Sequence, residues 1–466
     1  MSFISPEFPL LCLIFFPLYW LLAYHPKYQR WFLTMSSFGL YASWSLDFAY
    51  TLCLYCVAIW GLGHWIANGN HKRRALTIGL VLSSSFLIGV KYYEFIRESL
   101  ASALLLLQMK SMLPVVDFIA PVGISFFTFQ AITYLVSASI HPQKVRTLDQ
   151  VMLFLSFWPT LFAGPILRAE HFFAQVDAKQ TGLPRNIGTA LYFIMLGVAQ
   201  KLVFASWLSE TFVDPVFTYP ENYSGLVLSA SILAFTLQIF LDFAGYTLIV
   251  SGLALLLGYD LPANFRQPYL ARNLRDFWTR WHISLSTFIR DYIYIPLGGN
   301  RRGYSRAQFN LLFSMLISGL WHGPHFTFVI WGLLHGIGVI IVNTYRQVGF
   351  KPCPSWLSHT LTLLFIAMTW VFFRATSIES AYVILTGIFI NARGFWDPMG
   401  LPITPLLLFT LIFCWLSMNT QQLQQYAQTV CARLGAFPTA VFSCLLLSVF
   451  ISLGPDGIPG FIYYRF

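Results

Sequence analysis

Charged residues are scarce in this chain of 466 amino acids. Asp, Glu, Lys and Arg make up 10% of it, whereas a soluble globular protein carries about 25%. Hydrophobic residues make up 57%, so too little polar surface remains to cover a domain that faces water. Membrane lipid must therefore be the main solvent, and the sequence predicts an integral membrane protein.

Acidic residues are fewer than basic ones, which gives a formal net charge of +10. The basic residues lie in short connections between apolar runs, as in the cytoplasmic loops of membrane proteins. No basic, aromatic-rich soluble segment is present, so we expect no nucleic acid partner. The basic loops 25–30 and 70–74 are predicted in the cytoplasm, which places the N-terminus outside.

The sequence also lacks several familiar catalytic signatures. It contains no P-loop, Rossmann fingerprint, nucleophile elbow or HExxH motif. Its seven cysteines are scattered and imply no disulfide framework. No internal repeat or soluble module interrupts the apolar pattern, so residues 1–466 are predicted to form a single membrane domain.

Apolar runs long enough to cross a bilayer predict an all-α, polytopic protein with about 11 to 13 membrane-embedded helices, some re-entrant. The runs 224–257 and 308–345 are too long for one crossing and are expected to turn back or bend. The pairs Gly164-Pro165 and Gly323-Pro324 are expected to break helices, which membranes tolerate only where protein or water satisfies the freed backbone.

The longest non-apolar stretch covers residues 262–306. It contains eight arginines and two aspartates, with aromatic and aliphatic residues between them. This pattern predicts amphipathic helices that lie in the cytoplasmic interface.

His335 lies deep in an apolar run, within Trp331–Gly336. An ionisable side chain at such a place is a functional candidate, because burying it is costly. A neutral imidazole there can accept a proton as a general base. A ring that only bridges two helices by hydrogen bonds explains the same pattern equally well.

Three further polar residues lie in or near apolar segments. His282, within Arg280–Ser286, is by itself interpreted as an interfacial histidine. Asp242 is interpreted as paired with a basic residue, such as an arginine of 262–306, rather than as lining a polar cavity. His322, which precedes Gly323-Pro324, belongs to a possible zinc pattern.

That pattern is H-x2-H-x9-H, formed by His322, His325 and His335. Pro324 interrupts the helical register between its members, and no carboxylate is near in the sequence. Catalytic zinc normally takes three protein ligands with a supporting shell, so no metal is expected.

Several motifs along the chain occur together. The most specific are LPANFRQPYL at 261–270, FWTRWHISLSTF at 277–288 and RDYIYIPLGGNR at 290–301. Supporting motifs lie at 121–130, 162–168, 370–374 and 461–466. In these motifs the chain resembles the membrane-bound O-acyltransferases, specifically the bacterial subgroup typified by alginate and peptidoglycan O-acetyltransferases.

The resemblance implies acyl transfer in a funnel through the membrane. His335 matches the nearly invariant histidine of the family, and His282 matches a second active-site histidine. His335 would then take the proton of a hydroxyl, while His282 orients the carbonyl or the donor. His322 matches a further histidine of the subgroup and, with Asp242, is a candidate supporting residue.

The donor implied is acetyl-CoA, used as a substrate, with no bound cofactor. Basic side chains near the cytoplasmic face would meet its phosphates by charge-assisted hydrogen bonds. The candidates are Arg280, Arg290, Arg301 and Arg302.

The acceptor implied is a hydroxyl of a cell-envelope polysaccharide such as alginate or peptidoglycan, reached through an extracytoplasmic partner protein at the bacterial inner membrane. Alternatives are D-alanine transfer to teichoic acid, or a lipid or small-molecule acceptor. A transporter is less favoured, because paired inverted repeats and several intramembrane charges are absent from the sequence.

The chain departs from the subgroup at three places. Ser137–Ser139 stands where an aspartate is usual, Ala244 and Leu248 replace a serine and a second aspartate, and Gln200 precedes Lys201 where two lysines are commoner. None of these positions is a histidine, so the reaction class is kept and the acceptor stays open.

Overall fold

The computed structural model describes residues 7–109, 113–116, 119–178, 186–391, 403–434 and 436–454. The described residues form helices and connecting turns, with no strand among them. The closing motif 461–466 lies outside this part of the chain. The chain divides into two compact units, Met1–Asn186 with Leu253–Pro262, and Ile187–Gly252 with Ala263–Phe466.

The first unit contains the N-terminal helices. They are α1 (Glu7–Leu21), α2 (Pro26–Ala42), α3 (Leu46–Asn68), α4 (Lys72–Lys91), α5 (Tyr93–Leu106), α6 (Ile124–Ile140), α7 (Leu148–Ser156), α8 (Trp158–Leu161) and α9 (Ala169–Asp177). Helices α3, α4 and α6 pack on one another, with Tyr55 of α3 against Phe127 of α6. The chain leaves helical structure after Leu161, so the predicted break at Gly164-Pro165 is confirmed.

The second unit contains the longer helices and the candidate site. Its helices are α10 (Ile187–Val198), α11 (Ser206–Leu208), α12 (Asp214–Thr218), α13 (Gly225–Leu256, which ends in the first unit), α14 (Leu274–Trp278), α15 (Ile283–Ile289), α16 (Tyr304–His322), α17 (Phe326–Gln347), α18 (Ser355–Arg374), α19 (Ile378–Ile390), α20 (Ile403–Met418), α21 (Thr420–Leu434) and α22 (Ala436–Leu453). Two π-helical stretches, Ala199–Ala205 and Ser209–Val213, join α10 to α12.

Six helical segments among the described residues are long and apolar enough to cross a membrane. They are Leu46–Asn68, Lys72–Lys91, Ile187–Thr218, Gly225–Leu256, Phe326–Gln347 and Ser355–Arg374. Further apolar helices of the described residues are shorter than a full crossing. The all-α, polytopic fold is confirmed, while the total of about 11 to 13 embedded helices and the funnel stay predictions.

The run 224–257 does not turn back. It forms α13, one unbroken helix of 32 residues, which is about 48 Å long at 1.5 Å per residue. Most of α13 is buried inside the protein, so its extra length needs no match to the thickness of a bilayer. The prediction that this run turns back was wrong, because length alone does not reveal whether protein or lipid surrounds a helix.

The run 308–345 does turn back, as predicted. Helix α16 ends at His322, the chain turns at Gly323-Pro324, and α17 returns from Phe326. Hydroxyl groups of Tyr304 and Thr344 lie 2.7 Å apart at the open end of this hairpin. The helices cross closely enough that a Cβ atom on Gly332 would lie 2.5 Å from the carbonyl oxygen of Met315. Small residues permit such close backbone approach.

The segment 262–306 contains less helix than predicted. It forms a 3-10 turn (Pro268–Leu270), the short helices α14 and α15, a π-helical turn (Arg290–Tyr294) and the first residues of α16. Phe277, Trp281, His282 and Phe288 are buried, while most of the arginines are exposed. The alternation of basic and aromatic residues arises because the rings enter the core of the second unit. The location of the segment 262–306 at the cytoplasmic interface stays a prediction.

The close crossing of α16 and α17 predicts that alanine substitutions at two glycines have different effects on the stability of the protein. In Gly332→Ala the new methyl group meets the backbone of α16, and such overpacking typically costs about 1 to 3 kcal/mol. Gly61→Ala, in α3, is the matched control because a Cβ atom there meets nothing within 4 Å. We expect thermal unfolding in detergent to shift to lower temperature for Gly332→Ala alone. Equal midpoints for the two variants would contradict the close crossing.

Candidate active site

His335 lies near the middle of α17 and is fully buried. Aromatic rings surround its imidazole, with ring centroids at 4.7 Å for Trp331, 5.2 Å for Trp278 and 5.5 Å for Phe365. Trp331 lies one helical turn before His335, so the helix itself places these two side chains on one face. The imidazole is thus held away from water by large side chains from three segments.

One nitrogen of His335 has a hydrogen-bond partner that the sequence did not reveal. Its Nε2 lies 3.0 Å from the hydroxyl oxygen of Thr369 in α18, and this hydroxyl also donates to the carbonyl oxygen of Ile366 at 2.9 Å. Within the described part of the chain, Nδ1 of His335 is buried without a hydrogen-bond partner. Thr369 directly precedes the motif 370–374, which is the one signal that could have drawn attention to it.

His322 ends α16 and is buried beside the same tryptophan as His335. Its ring centroid lies 5.1 Å from that of Trp331 and 5.0 Å from that of Phe373. Trp331 therefore contacts both histidines. The hairpin of α16 and α17 brings them together, because its turn lies directly after His322.

His282 is fully buried and lies between α14 and α15. Its ring packs edge-on against Phe243 of α13, at 4.7 Å, and against Trp321 of α16, at 5.7 Å. Trp321 also contacts its neighbour His322. Burial lowers the pKa of His282 to about 3, so its ring stays neutral at physiological pH.

The backbone of His282 is in the left-handed region, with φ of 43°, which is unfavourable for a residue with a side chain. Hydrogen bonds from the two residues that follow His282 to Asn264 hold this conformation. The amide of Ile283 donates to the Asn264 carbonyl oxygen at 2.9 Å, and the Ser284 hydroxyl donates to Asn264 Oδ1 at 2.6 Å. Neither Asn264 nor Ser284 was recognised as a site residue from the sequence, although Asn264 belongs to the motif 261–270.

The fold thus joins three histidines that are separated in the sequence. His335 and His322 share contacts with Trp331, and His322 and His282 share contacts with Trp321. We call these five residues the histidine–tryptophan cluster. Such a water-poor cluster can hold neutral imidazoles ready to accept or donate protons. The catalytic roles of His335 and His282 stay predictions.

Residues 88–385 match MBOAT, the membrane-bound O-acyltransferase family. The chain belongs to the membrane-bound O-acyltransferase family. This match contains every histidine of the cluster, and it makes the protein an O-acyltransferase.

Curated relatives of this O-acyltransferase cover most of its length. It is 34% identical to a peptidoglycan O-acetyltransferase of Helicobacter pylori, over 78% of the chain and 74% of the relative. It is 32% identical to a probable alginate O-acetylase of Pseudomonas aeruginosa, over 89% of the chain and 79% of the relative. A teichoic acid D-alanyltransferase of Streptococcus thermophilus is 28% identical over 50% of the chain and 61% of the relative.

In the acyltransferase, Asp242 forms a buried ion pair with Lys201. Pairing of Asp242 with a basic residue was predicted and is confirmed, but the partner is not an arginine of 262–306. Lys201 lies in the π-helical stretch Ala199–Ala205 and is itself buried. Sequence spacing could not indicate this pair, because helix packing, and not sequence proximity, places Lys201 beside α13.

The four arginines predicted to bind the donor differ in their surroundings. Arg280 is half-buried, and its Nε lies 2.6 Å from Asp276 Oδ1. Arg290 is exposed and pairs with its neighbour Asp291. Arg301 and Arg302 are exposed and make no salt bridge within the described residues. These last two arginines keep the greatest capacity for an anionic ligand.

The buried ion pair predicts that Asp242 supports the fold of the acyltransferase. Asp242→Asn leaves Lys201 with an uncompensated charge, and breaking such a pair typically costs about 3 to 5 kcal/mol. Replacing both residues, as Lys201→Met with Asp242→Leu, removes both charges and should restore most of this stability. Thermal unfolding in detergent measures both effects.

Acyl transfer by the double variant separates the two roles considered for Asp242. We expect its activity to return together with its stability. A double variant that is as stable as the native protein but inactive would mean that the ion pair takes part in transfer.

Proposed function

We propose that this O-acyltransferase moves an acetyl group from cytoplasmic acetyl-CoA across the membrane toward a hydroxyl group of a cell-envelope polysaccharide. The observation that carries the proposal is the fully buried His335, whose Nδ1 has no hydrogen-bond partner within the described residues. A buried nitrogen without a partner is costly, and a catalytic role is one of the explanations for such an atom.

His335 acts as the general base in this proposal. It takes the proton of the acceptor hydroxyl, whose oxygen then attacks the carbonyl carbon of the acetyl thioester. The carbon–sulfur bond breaks as the new ester bond forms, and the proton passes to the departing sulfur of CoA. His282 orients the carbonyl or the donor, and His322 supports the cluster. General base catalysis of this kind typically contributes about 10² to 10⁴ in rate.

The hairpin of α16 and α17 gives the donor a direction of approach. Arg301 and Arg302 lie directly before α16, and the Tyr304–Thr344 contact brings that end close to the end of α17. His335 lies about 18 Å along α17 from Gln347, at 1.5 Å per residue. Phosphates held by Arg301 and Arg302 would therefore leave the thioester to extend toward mid-membrane.

The acceptor approaches from the opposite side of the membrane. The two relatives that cover most of the chain are named for O-acetylation of peptidoglycan and of alginate, which supports a polysaccharide acceptor. A hydroxyl group of an extracytoplasmic partner protein would receive the acetyl group and pass it on. The proposal places the protein in the bacterial inner membrane, with the N-terminus outside.

Transfer of D-alanine to teichoic acid is the second candidate. It is supported by the Streptococcus thermophilus relative, which is less similar and aligns with only half of the chain. The two candidates differ in the donor, so incubation with labelled acetyl-CoA or with a D-alanyl carrier protein distinguishes them. Transfer from the D-alanyl carrier alone would replace the proposal of acetyl transfer.

The proposed base predicts a loss of activity in His335→Ala. Purified protein in lipid nanodiscs is incubated with [¹⁴C]acetyl-CoA and a hydroxyl acceptor, and labelled ester is counted. We expect the rate to fall at least about 10²-fold, because proton removal from the hydroxyl is lost. His282→Ala should also lower the rate, with a smaller effect.

His325→Ala is the matched control for these variants, because His325 lies in the same hairpin but is exposed. It should retain the native rate. Unchanged transfer in a folded His335→Ala protein would exclude His335 as the base.

The donor site predicts a change in the KM for acetyl-CoA. The double variant Arg301→Gln with Arg302→Gln loses two charge-assisted contacts to phosphate, so KM should rise about tenfold or more while kcat changes little. Arg346→Gln is the control, since Arg346 is exposed and lies at the same end of the α16–α17 hairpin. An equal effect of both changes on KM would indicate general surface charge instead of a donor site.

A further inference from the structure

We propose that Thr369 is a positioning residue that holds His335 in the Nε2–H tautomer, so that Nδ1 is the atom that accepts the proton of the attacking hydroxyl. The proposal deepens the proposed function, on which it rests for the identity of the reaction. It identifies one atom of the base and one residue of another helix that prepares it.

The hydroxyl proton of Thr369 is used within its own helix. A hydroxyl group has one proton to donate, and its oxygen can accept further hydrogen bonds. The carbonyl oxygen of Ile366 can only accept, so the 2.9 Å contact between it and Thr369 Oγ1 uses that proton. The 3.0 Å contact between Oγ1 and His335 Nε2 is then a hydrogen bond only if Nε2 carries a proton and donates it.

The other ring nitrogen of His335, Nδ1, then carries no proton. A neutral imidazole carries one proton, so an Nε2–H ring has a lone pair on Nδ1. Nδ1 has no hydrogen-bond partner within the described residues, and it is buried. In this tautomer Nδ1 is therefore the nitrogen whose lone pair can accept the proton of a substrate hydroxyl.

The opposite tautomer satisfies fewer groups. With the proton on Nδ1, a buried donor would have no partner within the described residues, and buried donors without partners are costly. The hydroxyl proton of Thr369 would also turn toward Nε2. The lone pairs of the Thr369 oxygen would then face the carbonyl oxygen of Ile366, and the hydrogen bond between these two atoms would be lost. The hydrogen-bond network thus favours Nε2–H on both counts.

The packing of α17 on α18 fixes this geometry. Trp331 stacks on Trp370, the residue after Thr369, with ring planes 19° apart and centroids at 5.7 Å. A Cβ atom on Gly338 of α17 would lie 2.9 Å from the Phe365 ring of α18, so the helices approach closely there. Thr369 itself is buried and β-branched, which restricts its side chain to few rotamers.

This arrangement also suits the charged state of the base. When Nδ1 takes the proton of the acceptor hydroxyl, both nitrogens of His335 carry protons and the ring is positive. The Thr369 oxygen continues to accept from Nε2–H, so one N–H group of the cation stays hydrogen-bonded throughout. The proton on Nδ1 is then released to the sulfur of CoA, which returns the ring to its starting tautomer.

The experiment compares Thr369→Val, which removes the hydroxyl but keeps the shape, with Thr369→Ser, which keeps the hydroxyl. Thr362→Val is the matched control, because Thr362 is also buried in α18 and donates only to Ser358, within its own helix. We expect Thr369→Val to lower kcat about 10²-fold with KM for acetyl-CoA within about twofold of native. Thr369→Ser should keep kcat within about fivefold of native, and Thr362→Val should match the native protein.

The second measurement reads the tautomer without any substrate. Protein labelled with ¹⁵N-histidine is examined by solid-state NMR in lipid, and the signal lost in His335→Gln identifies His335. We expect a protonated Nε2 and an unprotonated Nδ1 in the native protein and in Thr369→Ser. In Thr369→Val this preference should be lost or reversed.

Three results would overturn the proposal: an Nδ1–H tautomer in the native protein, native kcat in Thr369→Val, or equal loss of kcat in Thr369→Ser and Thr369→Val. If labelled acetyl-CoA gives no transfer with the native protein, the proposed function fails. The NMR measurement still decides the tautomer in that case, so the two failures are distinguishable.

Discussion

A polar side chain that is removed from water needs a partner inside the protein, because an unsatisfied amide or hydroxyl costs about 2 to 7 kcal/mol in an apolar environment. Several polar side chains of the second unit satisfy this constraint. Lys201 pairs with Asp242, and Asn264 takes the hydrogen bonds of the turn that holds His282. The Nδ1 atom of His335 is among the buried side-chain atoms that have no hydrogen-bond partner within the described residues, and His335 is the base in the proposed function.

Tryptophan side chains pack around the three histidines of the cluster and hold them in place. Trp331 contacts His335 and His322, and Trp321 contacts His322 and His282. Large rings exclude water and lose little conformational freedom, so they fix neutral imidazoles in place. Glycines let the backbones of α16 and α17 approach closely enough for this packing, as Gly332 does against Met315.

Family membership and physical geometry support different parts of the functional conclusion. The match over residues 88–385 makes the protein an O-acyltransferase, but it does not name the acyl group or the acceptor. The geometry adds a buried histidine, its hydrogen-bond partner Thr369 and exposed arginines at one end of the hairpin. Its relatives are named for transfer to different envelope polymers, so similarity alone does not select the acceptor.

Some site residues were recognisable from the sequence and others were not. His335 and His282 were found because each lies in a motif of contiguous residues, and the turn at Gly323-Pro324 because glycine and proline break helices locally. Thr369 was missed because its role depends on α18 packing against α17. The prediction that the run 224–257 turns back was wrong for a related reason, since burial by protein is not visible in a hydropathy pattern.

The sequence by itself determined the solvent, the helical class, the family and the histidines, because composition, hydrophobic runs and contiguous motifs are local properties of the chain. Only the tertiary structure decided that Lys201 is the partner of Asp242, that tryptophans join the three histidines, and that Thr369 faces Nε2 of His335. These are contacts between helices distant in sequence, and they depend on which faces the helices present when they pack. The histidine itself is recognisable from a local motif, but the tautomer proposed for it follows from its neighbours in the fold.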